Sequence, residues 1–154
     1  MTDVVHDTLR FERHLAHPPR DVLSAYADVD QRVEWSAPSE NEIVIFEEHD
    51  FRVDGVDRFI CGLKESPSFR GTTRYEHIVD GEVIVFTERL VSTEGALLAM
   101  SLVTWAVAPH GDGETTLTII DQVTSTAGDG PIHGSRDGYG AMLDQLEAHV
   151  DNRG

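Results

Sequence analysis

The sequence predicts an α+β domain: about seven mostly antiparallel strands, two short helices after the first of them, and one long helix at the C-terminus. Three observations carry this. From Asn41 to Thr126, β-branched and aromatic runs are separated by three hairpin signals, Asp54-Gly55, Asp80-Gly81 and Gly111-Asp112-Gly113. The apolar period then changes, because Tyr139, Met142, Leu143, Leu146 and Val150 fall at i, i+3, i+4, i+7 and i+11, one face of a helix. The 154 residues, 40% hydrophobic and 26% charged, contain no linker, low-complexity run or internal repeat, as expected of a single domain over 1–154.

Taken in order, Thr8–Leu15 alternates apolar and polar at Leu9, Phe11 and, after a slip, Leu15, which predicts a first strand. His17-Pro18-Pro19 breaks it, and proline is tolerated at a helix start. Val22, Tyr26 and Val29 then recur at helical spacing, and Asp30–Trp35 reads as a second short helix ended by Ala37-Pro38. The β region divides into Glu42–Glu48, Phe51–Leu63 (bulged at Asp54-Gly55), Thr72–Val79, Glu82–Ser92, Leu97–Ala108 and Glu114–Ser125. Leu63–Gly71, with Pro67 and Phe69, reads as a turn-rich stretch, a candidate flexible lid or equally a plain loop. The last helix is expected over about 135–151, with Ser135 as N-cap and Asp137 at the positive end of its dipole. Gly138 and Gly140 each weaken a helix by roughly 1 kcal/mol, so they suggest a close approach of backbone to a strand.

The charge excludes whole classes of partner. Twelve Lys+Arg against 28 Asp+Glu leave a formal net charge of −16. A surface this negative repels phosphate backbones and anionic lipid heads, so neither nucleic acid nor a membrane is expected as partner. Cys61 is the only cysteine, which excludes an internal disulfide and a four-cysteine zinc site; within Phe59-Ile60-Cys61 it reads as a buried, inert thiol. The start Met1-Thr2-Asp3-Val4 lacks the features of a signal peptide, and no apolar window approaches the length of a membrane span. A cytoplasmic location is expected by elimination.

Several local patterns, in this order, resemble one superfamily. Phe11-Glu12-Arg13 followed by Ala16-His17-Pro18-Pro19-Arg20-Asp21-Val22 resembles its first strand and proline-led helix, and Asp28 through Trp35 the segment that closes on a tryptophan. Asp50-Phe51-Arg52-Val53-Asp54-Gly55 is similar to an aromatic-Arg-x-Gly-Gly pattern, with Asp54 where a first glycine is common. Val85-Phe86-Thr87-Glu88, Val103-Thr104-Trp105, the hairpin Gly111–Thr118 and Gly138-Tyr139 complete the likeness. The chain thus resembles the START/Bet v 1-like superfamily, also called SRPBCC or helix-grip, in the branch of the activator of heat-shock protein 90 ATPase homologues. The resemblance implies a strongly curved antiparallel sheet wrapped around the C-terminal helix, with a cavity between them for an apolar or amphipathic small molecule. Relatives with this fold include carriers, cyclases, dehydratases, hydrolase-like proteins and co-chaperones, so the fold does not decide the activity.

No phosphate loop, zinc-protease helix or nucleophile elbow is present. The closest histidines, His14 and His17, end a strand and enter a proline break, so no metal and no cofactor are expected. Strand alternation points Asp121 inward with Leu117, Ile119 and Val123, and His77 inward with Thr73 and Tyr75; the phase of Glu88 stays open, because both faces of its strand are apolar. Asp121, His77 and Glu88 are therefore the candidate acid–base groups, and the same groups serve equally as a polar cluster orienting a ligand. Trp35, Phe46, Phe51, Phe59, Tyr75, Phe86, Trp105, Ile119 and Tyr139 are the expected lining, with Met100 and Met142 adapting to a ligand's shape. The acidic stretch Glu40–Asp57 reads as a solvated outer face, the alternative being a dock for a basic partner; no chaperone-binding element is visible, so a chaperone partner is not expected. A homodimer paired through Glu42–Glu48 is left open, although the charges of that strand oppose it. The expected activity is small-molecule binding, with a cofactor-free cyclase, dehydratase or hydrolase as the alternative and regulation of a chaperone ATPase as the third.

Overall fold

The computed structural model describes residues 3–153, so Met1 and Thr2, the first half of the start that lacks signal-peptide features, and Gly154 lie outside the described residues. The elements run β1 (Val5–Leu15), α1 (Pro19–Ala27), α2 (Val29–Trp35), β2 (Glu42–Glu48), β3 (Val56–Leu63), β4 (Ser66–Val79), β5 (Val83–Ser92), β6 (Leu97–Pro109), β7 (Thr115–Ser125) and α3 (Gly130–Arg153). All seven strands form one antiparallel sheet in the order β1-β7-β6-β5-β4-β3-β2. The three helices cover its inner face. This is the helix-grip α+β architecture expected from the sequence.

Three departures have physical causes. β1 needs no slip: it pairs with β7 continuously from Val5↔Ser125 to Leu15↔Thr115, and Arg13 simply occupies an inward position between Phe11 and Leu15. Its guanidinium reaches α3, with Nη1 at 2.7 Å from Asp144 Oδ1. The expected lid over 63–71 is mostly strand, because β3 turns at Lys64-Glu65 directly into β4 and the Cys61↔Phe69 and Phe69↔Ser92 pairings hold it on both sides. Pro67 is tolerated because it lies beyond the end of β5, where no neighbour needs its missing N–H. Finally, α3 begins at Gly130 rather than near Ser135. Pro131 sits in its first turn, and the His133 N–H already donates to Asp129 O at 3.0 Å.

The two glycines of α3 do not touch a strand. A Cβ at Gly138 would meet only the Pro38 ring, at 3.9 Å, and one at Gly140 nothing within 4 Å. Asp54-Gly55 is not a strand bulge but part of the loop between β2 and β3, docked on β4 through Asp54 N to Tyr75 O and Tyr75 N to Gly55 O at 2.9 and 3.1 Å. Asp54 has φ 68°, left-handed, which is where glycine is favoured and asparagine or aspartate tolerated. That conformation explains why glycine is the common residue in the pattern this loop resembles.

Packing concentrates between α1, α2 and the sheet. Tyr26 sits at its centre, with ring centroids 5.0–6.4 Å from Trp35, Phe51, Tyr75, Phe86 and Trp105. α3 adds Leu143, Leu146 and Val150 to the same core. Its C-terminal half is tied down by polar contacts: Gln145 Nε2 donates to Ala37 O at 2.7 Å, His149 meets Glu34 at 3.0 Å, and His17 meets Asp151 at 2.7 Å. On the outer face the acidic stretch is paired across strands, Glu48 with Arg58, Glu47 with Arg70 and Asp54 with Arg74 at 2.9–3.1 Å.

Gly71 on β4 lets the ring of Phe59 lie flat on the sheet, since a Cβ there would come within 2.0–2.5 Å of three ring atoms. Gly71→Ala is expected to displace that ring and lower stability by roughly 1–3 kcal/mol in urea unfolding. An unchanged midpoint would show that the ring does not rest on Gly71.

Candidate functional site

Alternation along each strand sends a defined set of side chains inward, and where α3 diverges from β2–β5 they are not covered by the helix. The result is a cavity of about 270 Å³. Its deep wall is fully buried: Trp35, Trp105, Phe86 and Tyr26 are 1–4% exposed. Phe46, Phe59, Cys61, Leu90, Tyr139 and Met142 extend the wall, and Phe69, 38% exposed, marks the open end near Pro38 and Ser135. The charged residues at the wall are Arg32, Glu42 and Glu88. A larger depression of about 720 Å³ lies on the opposite, outer face of the sheet, walled by threonines, Gln122 and the half-exposed Met100 and Leu102. Its openness to solvent and its lack of an enclosing apolar and aromatic wall make it the weaker candidate.

Beneath the cavity lies a buried ionic network. Arg32 and Asp57 are 5% and 0% exposed, and Arg32 Nη1 lies 2.9 Å from Asp57 Oδ2 and 3.0 Å from Tyr75 Oη. The Tyr75 hydroxyl donates to the same carboxylate oxygen. His49 Nδ1 and the Asp50 N–H approach Asp57 Oδ1 at 2.8 and 3.2 Å. His49 Nε2 faces Ala27 O at 3.1 Å, so both ring nitrogens meet acceptors. The guanidinium is sandwiched between the rings of Tyr26 and Phe46, 4.2 and 4.4 Å from their centroids. Burial opposes its charge, but the oxygens of Tyr26, Tyr75 and Asp57 outweigh that and hold it firmly protonated. Burial likewise pushes the Tyr26 hydroxyl up to about 12.

On the other wall stands Glu88. Thr73 Oγ1 donates to its Oε2 at 3.1 Å. Burial raises its pKa from the ordinary 4.5 to about 7, Thr73 pulling it down and Asp121 pushing it further up. Asp121, on the adjacent inner surface of β7, is 3% exposed and raised by burial as well. The Tyr139 hydroxyl is raised by burial and by both carboxyls.

The structure therefore brings Trp35, Phe46, Phe59, Phe86, Glu88, Trp105, Tyr139 and Met142 to one cavity. It separates the other expected residues. His77 is exposed, because a bulge between Tyr75 and His77 reverses the alternation and turns Ile78 toward the core instead. Met100 points to the outer face, 42% exposed. Ile119 is fully buried in the core, and Phe51 packs on Tyr26 and Tyr75 from the loop after β2. Tyr75 lies behind the wall with its hydroxyl in the Arg32 network, and Asp121 lies behind Glu88 and Tyr139. The phase of β5 is resolved with Ile84, Phe86, Glu88 and Leu90 inward. Sequence reasoning missed Arg32, Asp57, Tyr26 and His49. Two signals were present: Arg32 sits one helical turn before Trp35, and Asp57 shares the strand phase of Phe59 and Cys61, so charges of opposite sign occupied core positions. Cys61 lines the cavity half-buried, its thiol pushed up to about 11 by burial, which keeps it unreactive at neutral pH.

Residues 16–151 match the family model described as activator of Hsp90 ATPase homolog 1-like protein. Among solved structures, a Rhizobium loti protein is 28% identical over 96% of this chain and 99% of its own, with a TM-score of 0.84. A Chromobacterium violaceum protein is 29% identical over 93% and 96%, with a TM-score of 0.78. One from Rhizobium leguminosarum, 23% identical over 99% of both chains with a TM-score of 0.84, shows the same fold. No curated protein matches the chain.

Two outcomes follow from the charges. Asp57→Ala strands the Arg32 cation in the core and is expected to cost about 3–5 kcal/mol, with Arg32→Met in the same chain recovering part of it. Equal stability of Asp57→Ala and wild type would show that the pair is not structural. Because folding raises the Glu88 pKa from 4.5 to about 7, the native state holds that proton more tightly, and stability falls as pH rises through this window. The loss amounts to at most about 3 kcal/mol. Glu88→Gln should therefore unfold at the same denaturant concentration as wild type near the lower end of the window and at a higher one above it. Parallel curves across the range would contradict a buried, strained carboxylate.

Proposed function

The chain belongs to the activator of Hsp90 ATPase homolog 1-like family, and we propose that it binds a hydrophobic or amphipathic small molecule in the cavity between its sheet and α3. The observation that carries this reading is the composition of the cavity wall. Aromatic and apolar side chains surround about 270 Å³, and a few charged groups, Arg32 and Glu88 foremost, line it with them. Ligand sites have this character: apolar area supplies affinity, and a small number of placed polar groups supply orientation. The solved relatives support the fold that creates the cavity.

A second reading, acid–base catalysis of the cyclase, dehydratase or hydrolase kind, draws on Glu88. A carboxyl that titrates near neutrality inside an apolar cavity is suited to moving a proton at working pH. His77 has no part in it, since its side chain faces solvent. The family description names activation of a chaperone ATPase. On this chain the acidic stretch is the surface that a basic partner would need, and several of its carboxylates are already engaged by arginines, so we do not propose that role.

Both tryptophans line the cavity, which makes binding visible without a label. Apolar naphthalenes added to the protein are expected to quench its tryptophan emission saturably, and protein purified without denaturants is expected to carry a bound species in native mass spectrometry. Met142→Trp should fill the cavity and abolish both signals. Retention of the bound species in that variant, or the absence of any saturable quenching, would refute the cavity as the ligand site.

A further inference from the structure

The charged side chains on the cavity wall do not balance. Its cation is Arg32, and that charge is already matched by Asp57, 2.9 Å away and outside the lining. Its carboxylates are Glu42 and Glu88. Among the described residues both are bonded by hydroxyls alone: Glu42 Oε2 accepts from Ser39 at 2.9 Å, and Glu88 Oε2 from Thr73 at 3.1 Å. Both also push up the pKa of the Cys61 thiol, so their charges reach the same stretch of wall. A carboxylate in apolar surroundings needs either a proton or a cation.

The second oxygen of Glu88 is open. Oε1 has no hydrogen-bond partner among the described residues, where Thr73 bonds only Oε2. The side-chain atoms that are both unpartnered and sealed from water are Trp105 Nε1 and Asp121 Oδ1, and Oε1 is not one of them. It is therefore accessible, and the space it opens on is the cavity that Glu88 lines. Trp35, Phe59, Phe86, Trp105 and Tyr139 line the same space. The core already holds one cation against such rings, since the Arg32 guanidinium lies 4.2 and 4.4 Å from the centroids of Tyr26 and Phe46. The charges that act on Glu88 are Asp121 on β7, Asp57 on β3 and Arg32 on α2. The hydroxyls of Tyr26 and Tyr139 and the Cys61 thiol are all raised, so they stay protonated through neutral pH.

These features select among occupants. A wholly apolar molecule would leave Oε1 without a donor. An alcohol would donate to it but leave the carboxylate charge uncompensated. An anion would add a further negative charge to the wall. A protonated amine donates to Oε1, takes the place of the proton that burial otherwise holds on Glu88, and presents its charge to ring faces. The net charge of −16 also concentrates cations around the chain. We propose that the cavity takes an amphipathic amine, its ammonium donating to Glu88 Oε1 and its apolar body packed on the aromatic wall. The proposal deepens the small-molecule reading and rests on it. Where Glu88 is protonated before binding, its proton leaves to water as the ammonium arrives.

Titration calorimetry of the whole chain with three probes of similar shape tests it: 2-naphthylmethylamine, 2-naphthylmethanol and 2-naphthoate. With Glu88 ionised, at about pH 8, one charge-assisted hydrogen bond should make the amine bind about tenfold more tightly than the alcohol, with the carboxylate weakest. The preference should shrink at about pH 6, where Glu88 holds its proton. Near pH 7 the heat of amine binding should vary with the ionisation enthalpy of the buffer, reporting the released proton. Glu88→Gln should abolish the preference and its pH dependence while retaining the alcohol, which reports an intact cavity. Equal affinity of the wild-type protein for amine and alcohol at about pH 8 overturns the amine site and leaves the cavity reading standing. A preference that survives Glu88→Gln, or one that does not change with pH, overturns it in favour of general attraction to an acidic surface. Tightest binding of 2-naphthoate overturns it in favour of an anion held by Arg32. Failure of all three probes to bind overturns both readings. The wild-type pH series decides the matter even if the variant does not fold.

Discussion

The buried pair of Arg32 and Asp57 is the constraint on which the inner architecture depends. It joins α2 to β3, and through Tyr75 and His49 it draws in β4 and the loop after β2. Two charges in a core usually contribute little net stability, because desolvation cancels much of their attraction. Here the carboxylate is fully hydrogen-bonded, and the guanidinium lies between two aromatic rings. Such a pair sets geometry more than it adds stability. It tolerates one placement of α2 over the sheet, and that placement holds Trp35 and Phe46 at the cavity wall.

The cavity walls then differ electrically. On one side the Arg32 charge is matched by Asp57. On the other, Glu88 and Asp121 are both raised by burial, and Asp121 makes ionisation of Glu88 harder still, against the smaller pull of the Arg32 charge. A wall of this kind takes up a proton, or another positive charge, near neutral pH. It is also where the fold leaves hydrogen-bonding capacity unused, in Trp105 and Asp121. Natural folds give up stability in such places when a site needs it.

The fold sets these groups on a rigid support. β5, β6 and β7 are central strands, each paired on both sides, so Glu88, Trp105 and Asp121 project from the least mobile part of the molecule. The half-exposed rim of Pro38, Ser135 and Met142 belongs instead to α3 and the segment after α2. Substitutions on that rim alter the mouth of the cavity, while the paired central strands keep their shape.

What the sequence determined by itself was the order of elements, the antiparallel sheet and the apolar face of α3. All three are local: turn residues, alternation and helical period act within a few positions, and alternation along β7 pointed Leu117, Ile119, Asp121 and Val123 inward, where they are buried. Where a departure from alternation was itself tertiary, the reading failed. The β-bulge that turns His77 to solvent arises from pairing with β5, and the strand status of 66–71 comes from ladders on both sides. Outward-facing Met100 misled for a simpler reason, because methionine's chemistry suits either face. Arg32 and Asp57, 25 residues apart, look like ordinary surface charges until the fold closes them to 2.9 Å. Their burial is decided by which helix lands on which strand, and that is a property of the assembled core that no local pattern encodes.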